Sequence, residues 1–548
     1  MGFKFQLIHL VSALALASCA DPDAAQAPAT SVPDSAASDA VLADASPSET
    51  SSRADVAADA VAAAETAPTD TADVAQDATA RSDAIATVDA AKPDAAAAEV
   101  AAGPPAPTWT TANGCATPAP WTSPTCAQVA CAAGKVCMGA GLCVPAATFL
   151  PPPPAGEAHI SFPAPAAHES GAWALAVSAG VVDTGMRIYA QVYPQGDTTG
   201  NGWLKLSPAD AVLHRMPSTC SLGPGGWLVV WRAEDELTQT VSYLGRVMTA
   251  DGKAAPDPPF PLNTTLLGLG ESNSSTNVVA PVVLRLRDDS VLAAWSGGVK
   301  GKGAQLGIFA RRFTTAGVPL GQEIAVSPPI AGQQAASPGI APLTGGEALL
   351  VWEFQSNGKK GDPVVQGRKL NGEGQLVGEA ATLSPQLKAY EALPAVTGFA
   401  DGAALVTWKV AEGKNATMAV DIMARRVSGE GPGATKGSLH KLDADATGTY
   451  PFRASAAAMV DGRAAVAWHN ASIGPHTIQF SRYYPDQDAF DCQPTDVAGP
   501  LGAKEVGPRY LPEVAAFADH RLLVGWNTDF ITANGAYSGV VALRFFGW

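Results

Sequence analysis

One apolar pattern recurs along most of the chain. An apolar run closes on a tryptophan in GGWLVVW at Trp231, DDSVLAAW at Trp295, GGEALLVW at Trp352, DGAALVTW at Trp408, DGRAAVAW at Trp468 and DHRLLVGW at Trp526. A degenerate first copy, GAWALAV, puts Val177 in the same slot. Successive anchors lie 54, 64, 57, 56, 60 and 58 residues apart. Fourteen residues before the anchor stands a proline in six copies: Pro163, Pro217, Pro281, Pro338, Pro394 and Pro512. In the sixth copy the proline is Pro451, seventeen residues upstream of Trp468. Fourteen to eighteen residues after the anchor a second apolar run carries a recurring polar residue: Gln191, Arg246, Arg311, Arg368, Arg425, Arg482 and Arg544.

Short apolar runs bounded by turns such as Asp401-Gly402 and Asp461-Gly462 are hairpin signals. Each copy therefore predicts a strand after the proline, a tight turn, the strand ending at the anchor, a variable loop, the arginine strand, and a short fourth strand. Four antiparallel strands per unit, repeated at a fixed period without helical spacing, is the sequence form of a propeller blade. The seventh copy ends at Trp548, one strand short, while Gly156–Ser161 (GEAHIS) ahead of the first proline matches the fourth-strand segment GEAATLS at 378–384. The expected fold is all-β: a seven-bladed β-propeller over residues 151–548, its last blade completed by an N-terminal strand that removes both sheet edges. The closing run VVALRFFGW also looks like the final strand of an outer-membrane barrel, but its register with six earlier copies assigns it to the repeat.

Composition changes the picture ahead of the repeat. Residues 1–19 have the layout of a secretory signal, with Lys4 followed by an apolar stretch from Phe5 to Leu16 that is too short to span a bilayer. Residues 20–108 are Ala, Asp, Ser, Thr and Pro with no aromatic residue, so this stretch buries too little apolar area to fold and is expected to be a disordered tether. Residues 20–107 hold 16 acidic and 3 basic residues, so the overall net charge of −16 belongs mainly to the tether. After residue 107 the chain has 35 acidic and 31 basic residues, with no basic stripe of the kind nucleic acid requires.

Between tether and repeat, residues 109–150 are expected to form a small Cys-rich module and a Pro-rich linker. Cys126, Cys131, Cys137 and Cys143 follow Cys115 at intervals of five, six and six residues, with Gly134, Gly139 and Gly141 among them. In an exported chain this pattern means disulfides, and four cysteines allow three pairings. A zinc site is the alternative, although no histidine lies between His9 and His159. Cys220 falls on an inner strand and is expected to be a buried free thiol, and Cys115 is a possible partner for Cys492.

The recurring tryptophans are expected to pack between blades and the arginines to bond carbonyls or acids of neighbouring blades. Chemistry is then expected at the opposite end from the Asp-Gly turns, in the loops after the anchors. Its candidates are Arg232, Glu234, Asp235, Lys300, Glu353, Lys359, Lys360, Lys409, His469, Asn470 and Asp529. Arg232, Asp235, Glu353, Lys409, His469, Asn470 and Asp529 form the ligand-binding set. His469 beside Asn470 is the pair best suited to acid–base work or a metal. The chain has no HExxH, GxSxG or P-loop, and no repeated S-x-D-x-G-x-x-W box of the sialidase type. It names no catalytic residue, no metal site and no cofactor.

Leu16-Ala17-Ser18-Cys19 resembles the bacterial lipobox. That resemblance implies cleavage before Cys19 and lipid attachment to its sulfur, several acyl chains being enough for stable anchoring. With Ala20 following, it implies the outer membrane or cell surface; secretion with Cys19 unmodified is the alternative. Lipobox, Ala/Asp-rich tether, cysteine module and repeat together resemble uncharacterised surface lipoproteins of Gram-negative bacteria, a resemblance that implies architecture and no activity. The expectation is a monomeric, membrane-anchored propeller that binds a protein or glycan and no nucleic acid. The alternatives are a carbohydrate-active propeller hydrolase and a structural envelope component.

Overall fold

The computed structural model describes residues 110–547 apart from 113–114, 118–128, 134, 139–141, 146–147, 158, 182–184, 255–257, 266, 269–279, 300–304, 357–362, 385–392, 413–418, 431–436, 443–453, 471–476, 498–509 and 532–536. The signal, Cys19, the tether and Cys126 lie outside these residues.

Seven antiparallel blades follow one another. Their inner strands are Ile160–Ala167, Leu213–Ser221, Val282–Arg285, Gln334–Pro342, Ala395–Gly398, Ser455–Ala458 and Tyr510–Ala516. Each pairs with the anchor strand that follows it: Trp173–Ala179, Trp227–Asp235, Val291–Val299, Ala348–Gln355, Ala404–Glu412, Ala464–Asn470 or Arg521–Ile531. Each anchor strand pairs in turn with a third strand. Every inner strand touches the next, and the last touches the first, so the ring is closed.

The fourteen-residue spacing has a direct structural meaning. In the blade-2 hairpin Ser218 pairs with Val230, which sets Pro217 opposite Trp231; the pairing then shifts by one residue to Arg215 with Arg232. The proline, which has no N–H to give to the ladder, thus sits in a β-bulge facing the anchor. The same register shift occurs in blades 1, 4 and 7. The residue before the proline takes a left-handed conformation at Phe162 (φ 54°), Met216 (58°), Ser337 (54°), Leu393 (42°) and Leu511 (52°). Such a backbone is sparsely populated for non-glycine residues and persists only where its surroundings impose it. Blade 6 explains its own exception: Ser455 pairs with Ala467, so buried Ala454 fills the proline slot opposite Trp468, and Pro451 is outside the described residues.

Seven apolar clusters fill the seven seams between blades. Each anchor points toward the preceding blade and is fully buried, with Val177 taking that place at the seam between blades 7 and 1. Five of the indoles (Trp295, Trp352, Trp408, Trp468, Trp526) have no acceptor for their N–H among the described residues. Their contribution is therefore area removed from water rather than hydrogen bonding.

The recurring arginines staple blades as expected. Nη1 of Arg246, Arg368, Arg425 and Arg544 donates to the carbonyls of Leu206, Val326, Leu383 and Val497, each near the outer strand of the preceding blade, at 3.1, 3.5, 3.4 and 2.7 Å. Arg311 and Arg482 depart from the pattern: Arg311 Nε donates to the Gly321 carbonyl of its own blade at 3.0 Å. Trp468 pairs with Gln479, which places Ser481 in the staple position and turns Arg482 to the other side, where it binds Asp491 within its own blade. At the turn end a second set of ion pairs recurs: Arg312 with Asp288, Lys369 with Glu347 and Arg426 with Asp401.

The ring closes through the N-terminal segment, but not where the sequence match placed it. Ile160 and Ser161 belong to the inner strand of blade 1, paired with Ala179 and Ser178. Their backbones are already paired with the anchor strand of blade 1, so Gly156–Ser161 is not the missing fourth strand. Phe149 takes that role: it exchanges both backbone hydrogen bonds with Leu543 (2.9 and 3.0 Å), stacks on Phe545 and meets Trp173 edge-on. The hairpin of Lys135–Met138 and Leu142–Pro145 carries the Cys131–Cys143 disulfide, and it places Val144 and Met138 in the same seam. On the turn side Arg521, fully buried, donates to the Gly171 carbonyl of blade 1 at 2.9 Å and lies over the rings of Phe517 and Phe545. Cys137 and Cys492 are also disulfide-bonded, to partners outside the described side chains, whereas Cys220 is free, buried, and its thiol is pushed up to about 12 by burial.

Truncating the closing contact should loosen the ring. Phe149→Ala is expected to lower unfolding free energy by about 2–3 kcal/mol, below the range for a fully buried phenylalanine because Phe149 is half-buried. Urea titration followed by tryptophan fluorescence measures this, and an unchanged midpoint would show that Phe149 does not close the blade.

Candidate functional site

The inner strands enclose a central cavity of about 390 Å³, lined by all seven blades. Its walls are the bulges and the residues after them, including Pro163, Met216, Pro217, Pro281, Ile340, Val396 and Val514. Proline, alanine and β-branched residues dominate because the bulges turn proline rings and backbone inward. Among the described lining residues Glu513 is the sole ionisable side chain. Its Oε2 accepts the Ser455 hydroxyl at 2.8 Å, and Ser455 Oγ in turn accepts the Val514 N–H at 3.2 Å. No second carboxyl stands in that lining to face Glu513 across the channel.

The ligand-binding candidates were expected on loops, and the structure places them on strands. The anchor strands of blades 2, 4, 5, 6 and 7 run on past the tryptophan, so Arg232, Asp235, Glu353, Lys409, His469, Asn470 and Asp529 are all strand residues. The reason is mechanical: the third strand is long enough to keep pairing beyond the anchor, as in Asp235 with Thr240, Glu412 with Ala419 and Asp529 with Gly539. Lys300, Lys359 and Lys360 lie outside the described residues.

What unites four of the candidates is their position. The residue following the anchor slot is Ser178, Arg232, Ser296, Glu353, Lys409, His469 or Asn527, polar in every blade. Strand alternation turns it away from the anchor, toward the next blade. There it meets the bulge. Ser178 Oγ accepts the Met216 N–H at 3.1 Å and Glu353 Oε2 accepts the Leu393 N–H at 3.4 Å, so these side chains satisfy backbone groups that the bulge removes from the ladder. His469 is fully buried, and Lys409 is half-buried. Asn527 is 1% exposed, and neither end of its amide has a hydrogen-bond partner among the described residues. Asn470 and Asp235 point the other way: Asn470 donates to Gln479 Oε1 at 3.0 Å, and Asp235 caps its own turn through the N–H groups of Leu237 and Thr238. His469 and Asn470 therefore do not share a face.

Blade 2 concentrates the charge. Arg215 on the inner strand pairs directly with Arg232, and Glu234 lies between their side chains. Arg215 binds Glu234 through Nε at 2.7 Å and Nη2 at 2.5 Å, while Arg232 Nε is 2.9 Å from Glu234 Oε1. On the other face of the same strand, His214 is fully buried. The Trp231 indole N–H donates to its Nδ1 at 3.0 Å, which fixes the remaining proton on Nε2, 2.8 Å from Asp210 Oδ1. Burial depresses the His214 imidazole below its ordinary value, the hydrogen bond to Asp210 opposing. His159, whose Nδ1 accepts the Gly539 N–H at 2.9 Å, is likewise depressed by burial. No group of three or more His, Cys, Asp or Glu side chains is poised to hold a metal among the described residues. Arg215, His214, Glu513 and Asn527 were not among the sequence candidates. The polarity of the position after the anchor was visible in all seven copies; the inner-strand residues carried no repeated signal.

No family model and no curated protein matches the chain. Among solved structures it is similar to the α-L-arabinofuranosidase Arb93A of Fusarium graminearum (11% identity, 73% of this chain and 96% of that one, TM-score 0.41). It is also similar to a protein of unknown function from Dyadobacter fermentans (13%, 74% and 98%, TM-score 0.41). An α-L-arabinanase of Penicillium chrysogenum matches at 12% identity over 64% of this chain and 97% of that one, with a TM-score of 0.38. Likenesses at this level decide nothing about the chemistry of the site.

The two depressed histidines make stability depend on pH. A group whose folded value lies below its ordinary 6.5 stabilises the fold while neutral, so the contribution is complete above that value and is lost as pH falls below it. The urea midpoint should decrease on acidification below about pH 6.5, and less steeply in His214→Gln, which keeps an acceptor for Trp231 but does not titrate. An identical slope in that variant would remove His214 from the effect.

Proposed function

We propose that this protein is a lipid-anchored, surface-exposed propeller that binds a saccharide at the mouth of its central channel. The observation that carries the reading is the cavity itself. A concavity of about 390 Å³ with apolar walls and few polar groups has the size and lining of a small-ligand site rather than of a flat protein interface. Its proline and aliphatic walls suit the apolar faces of sugar rings, and side chains of both signs stand in the neighbouring seams to take hydroxyl groups. The lipobox-like segment at Cys19 and the acidic tether support placing this site away from the membrane surface, facing the surroundings of the cell.

A second reading, a carbohydrate-active hydrolase, is favoured by Glu513. A carboxyl in the channel wall is one half of the pair that glycoside cleavage requires, and the other would stand about 5–10 Å away. Binding is preferred because the described lining supplies one such group, already engaged by Ser455.

Affinity electrophoresis of the full-length protein in gels cast with neutral and acidic polysaccharides tests both readings. Retardation without release of reducing ends is expected. Release of reducing ends that disappears in Glu513→Gln would establish the hydrolase instead, and no retardation by any polysaccharide would sink the saccharide reading. The anchor is tested separately: Cys19→Ala should move the protein from the membrane pellet to the soluble fraction, and unchanged fractionation would exclude lipidation there.

A further inference from the structure

Among the described residues, the two arginines of blade 2 share a single carboxylate. Arg215 and Arg232 stand directly opposite each other, an arrangement that repels unless an anion intervenes. Glu234, 4% exposed, is that anion, but it is a single carboxylate shared by two guanidinium groups. Arg215 takes it in the two-point geometry. Arg232 contacts it through Nε alone and out of line for a hydrogen bond, so its two terminal nitrogens make no hydrogen bond among the described residues. Arg232 is 8% exposed and its Nε is buried, so the unused fork is the part of the side chain that still reaches solvent. A guanidinium with so little hydration left gains from a second anion that takes its free face. Arg215 also immediately precedes Met216, a residue of the cavity wall.

We infer that Arg232, held in place by Glu234 and Arg215, is a binding residue for the carboxylate of an acidic saccharide, of the uronate class. The guanidinium fork matches a carboxylate in two parallel hydrogen bonds, and burial makes such a pair strong and selective against neutral sugars. Glu234 has a positioning role: it points both arginines the same way without occupying the fork of Arg232. The inference rests on the saccharide reading above and narrows it to one chemical class.

The test uses the full-length protein with alginate, polygalacturonate and hyaluronan, each beside its carboxyl-reduced form, in affinity electrophoresis. At least one acidic polymer is expected to bind about tenfold or more tightly than its reduced form, a preference that weakens with salt. Arg232→Met should abolish the preference, bringing the acidic polymer down to the affinity of its reduced form, and Arg232→Lys should restore part of it, since a lysine keeps charge but not the fork. Thermal melts establish that each variant is folded; if Arg232→Met does not fold, Arg232→Lys alone is read, and wild-type affinity in it overturns the inference. Equal binding of acidic and reduced forms, or an acid preference that survives Arg232→Met, also overturns it while leaving saccharide binding intact. Retention of neutral polysaccharides only has the same consequence. Absence of binding to any polysaccharide removes both readings together.

Discussion

The structure depends on one cross-strand arrangement, a proline-containing bulge set opposite a buried tryptophan and repeated around a ring. Proline has no N–H, so the inner strand must bulge where it stands. The bulge throws the preceding residue into a left-handed conformation in at least five blades and removes its N–H from the ladder. Two further features follow. The tryptophan opposite turns into the preceding seam and fills it, and the polar residue after it turns into the following seam and, at Ser178 and Glu353, receives the displaced N–H of the next blade's bulge. Where the bulge is present, one local irregularity thereby ties a blade to both neighbours.

This explains what the sequence made legible. The spacing of proline and tryptophan was readable because it is a hairpin register, and the arginine spacing because it is a staple between blades. Both are repeated, and repetition separates signal from composition. Where a slot is filled by a different residue the reading slipped: Ala454 stands for the proline in blade 6, and Ser481 rather than Arg482 occupies the staple position. The closure segment was misplaced for a related reason. GEAHIS matches a fourth strand in residue type, but its last two residues are claimed by the inner strand of blade 1, and a lone phenylalanine seven residues upstream of Gly156 has no pattern to announce it.

The candidate site was less legible because strand ends are set by the partner strand and not by the anchor. Polar residues just beyond a tryptophan look like loop residues when the third strand's length is unknown. Once paired, they become seam residues whose polarity serves the bulge. The cavity wall and the blade-2 cluster draw on residues that occur once each, Glu513 and Arg215, and a singular inner-strand residue is invisible to a method that reads repetition. Structural roles in this fold are periodic, while the features that suggest a ligand are the departures from period.

The bridge between Phe149 and Leu543 sets the order of events in the life of the chain. The segment that seals the ring is among the first parts of the folded unit to be synthesised, and its partner strand is the last. Until Tyr537–Gly547 exists, blade 7 lacks its third strand, Phe149 has nothing to pair with, and the seam that also receives Val144 and Trp173 is open to water. Completion is therefore registered at one place: a chain cut short anywhere in its last blade would leave an unsealed, sticky ring.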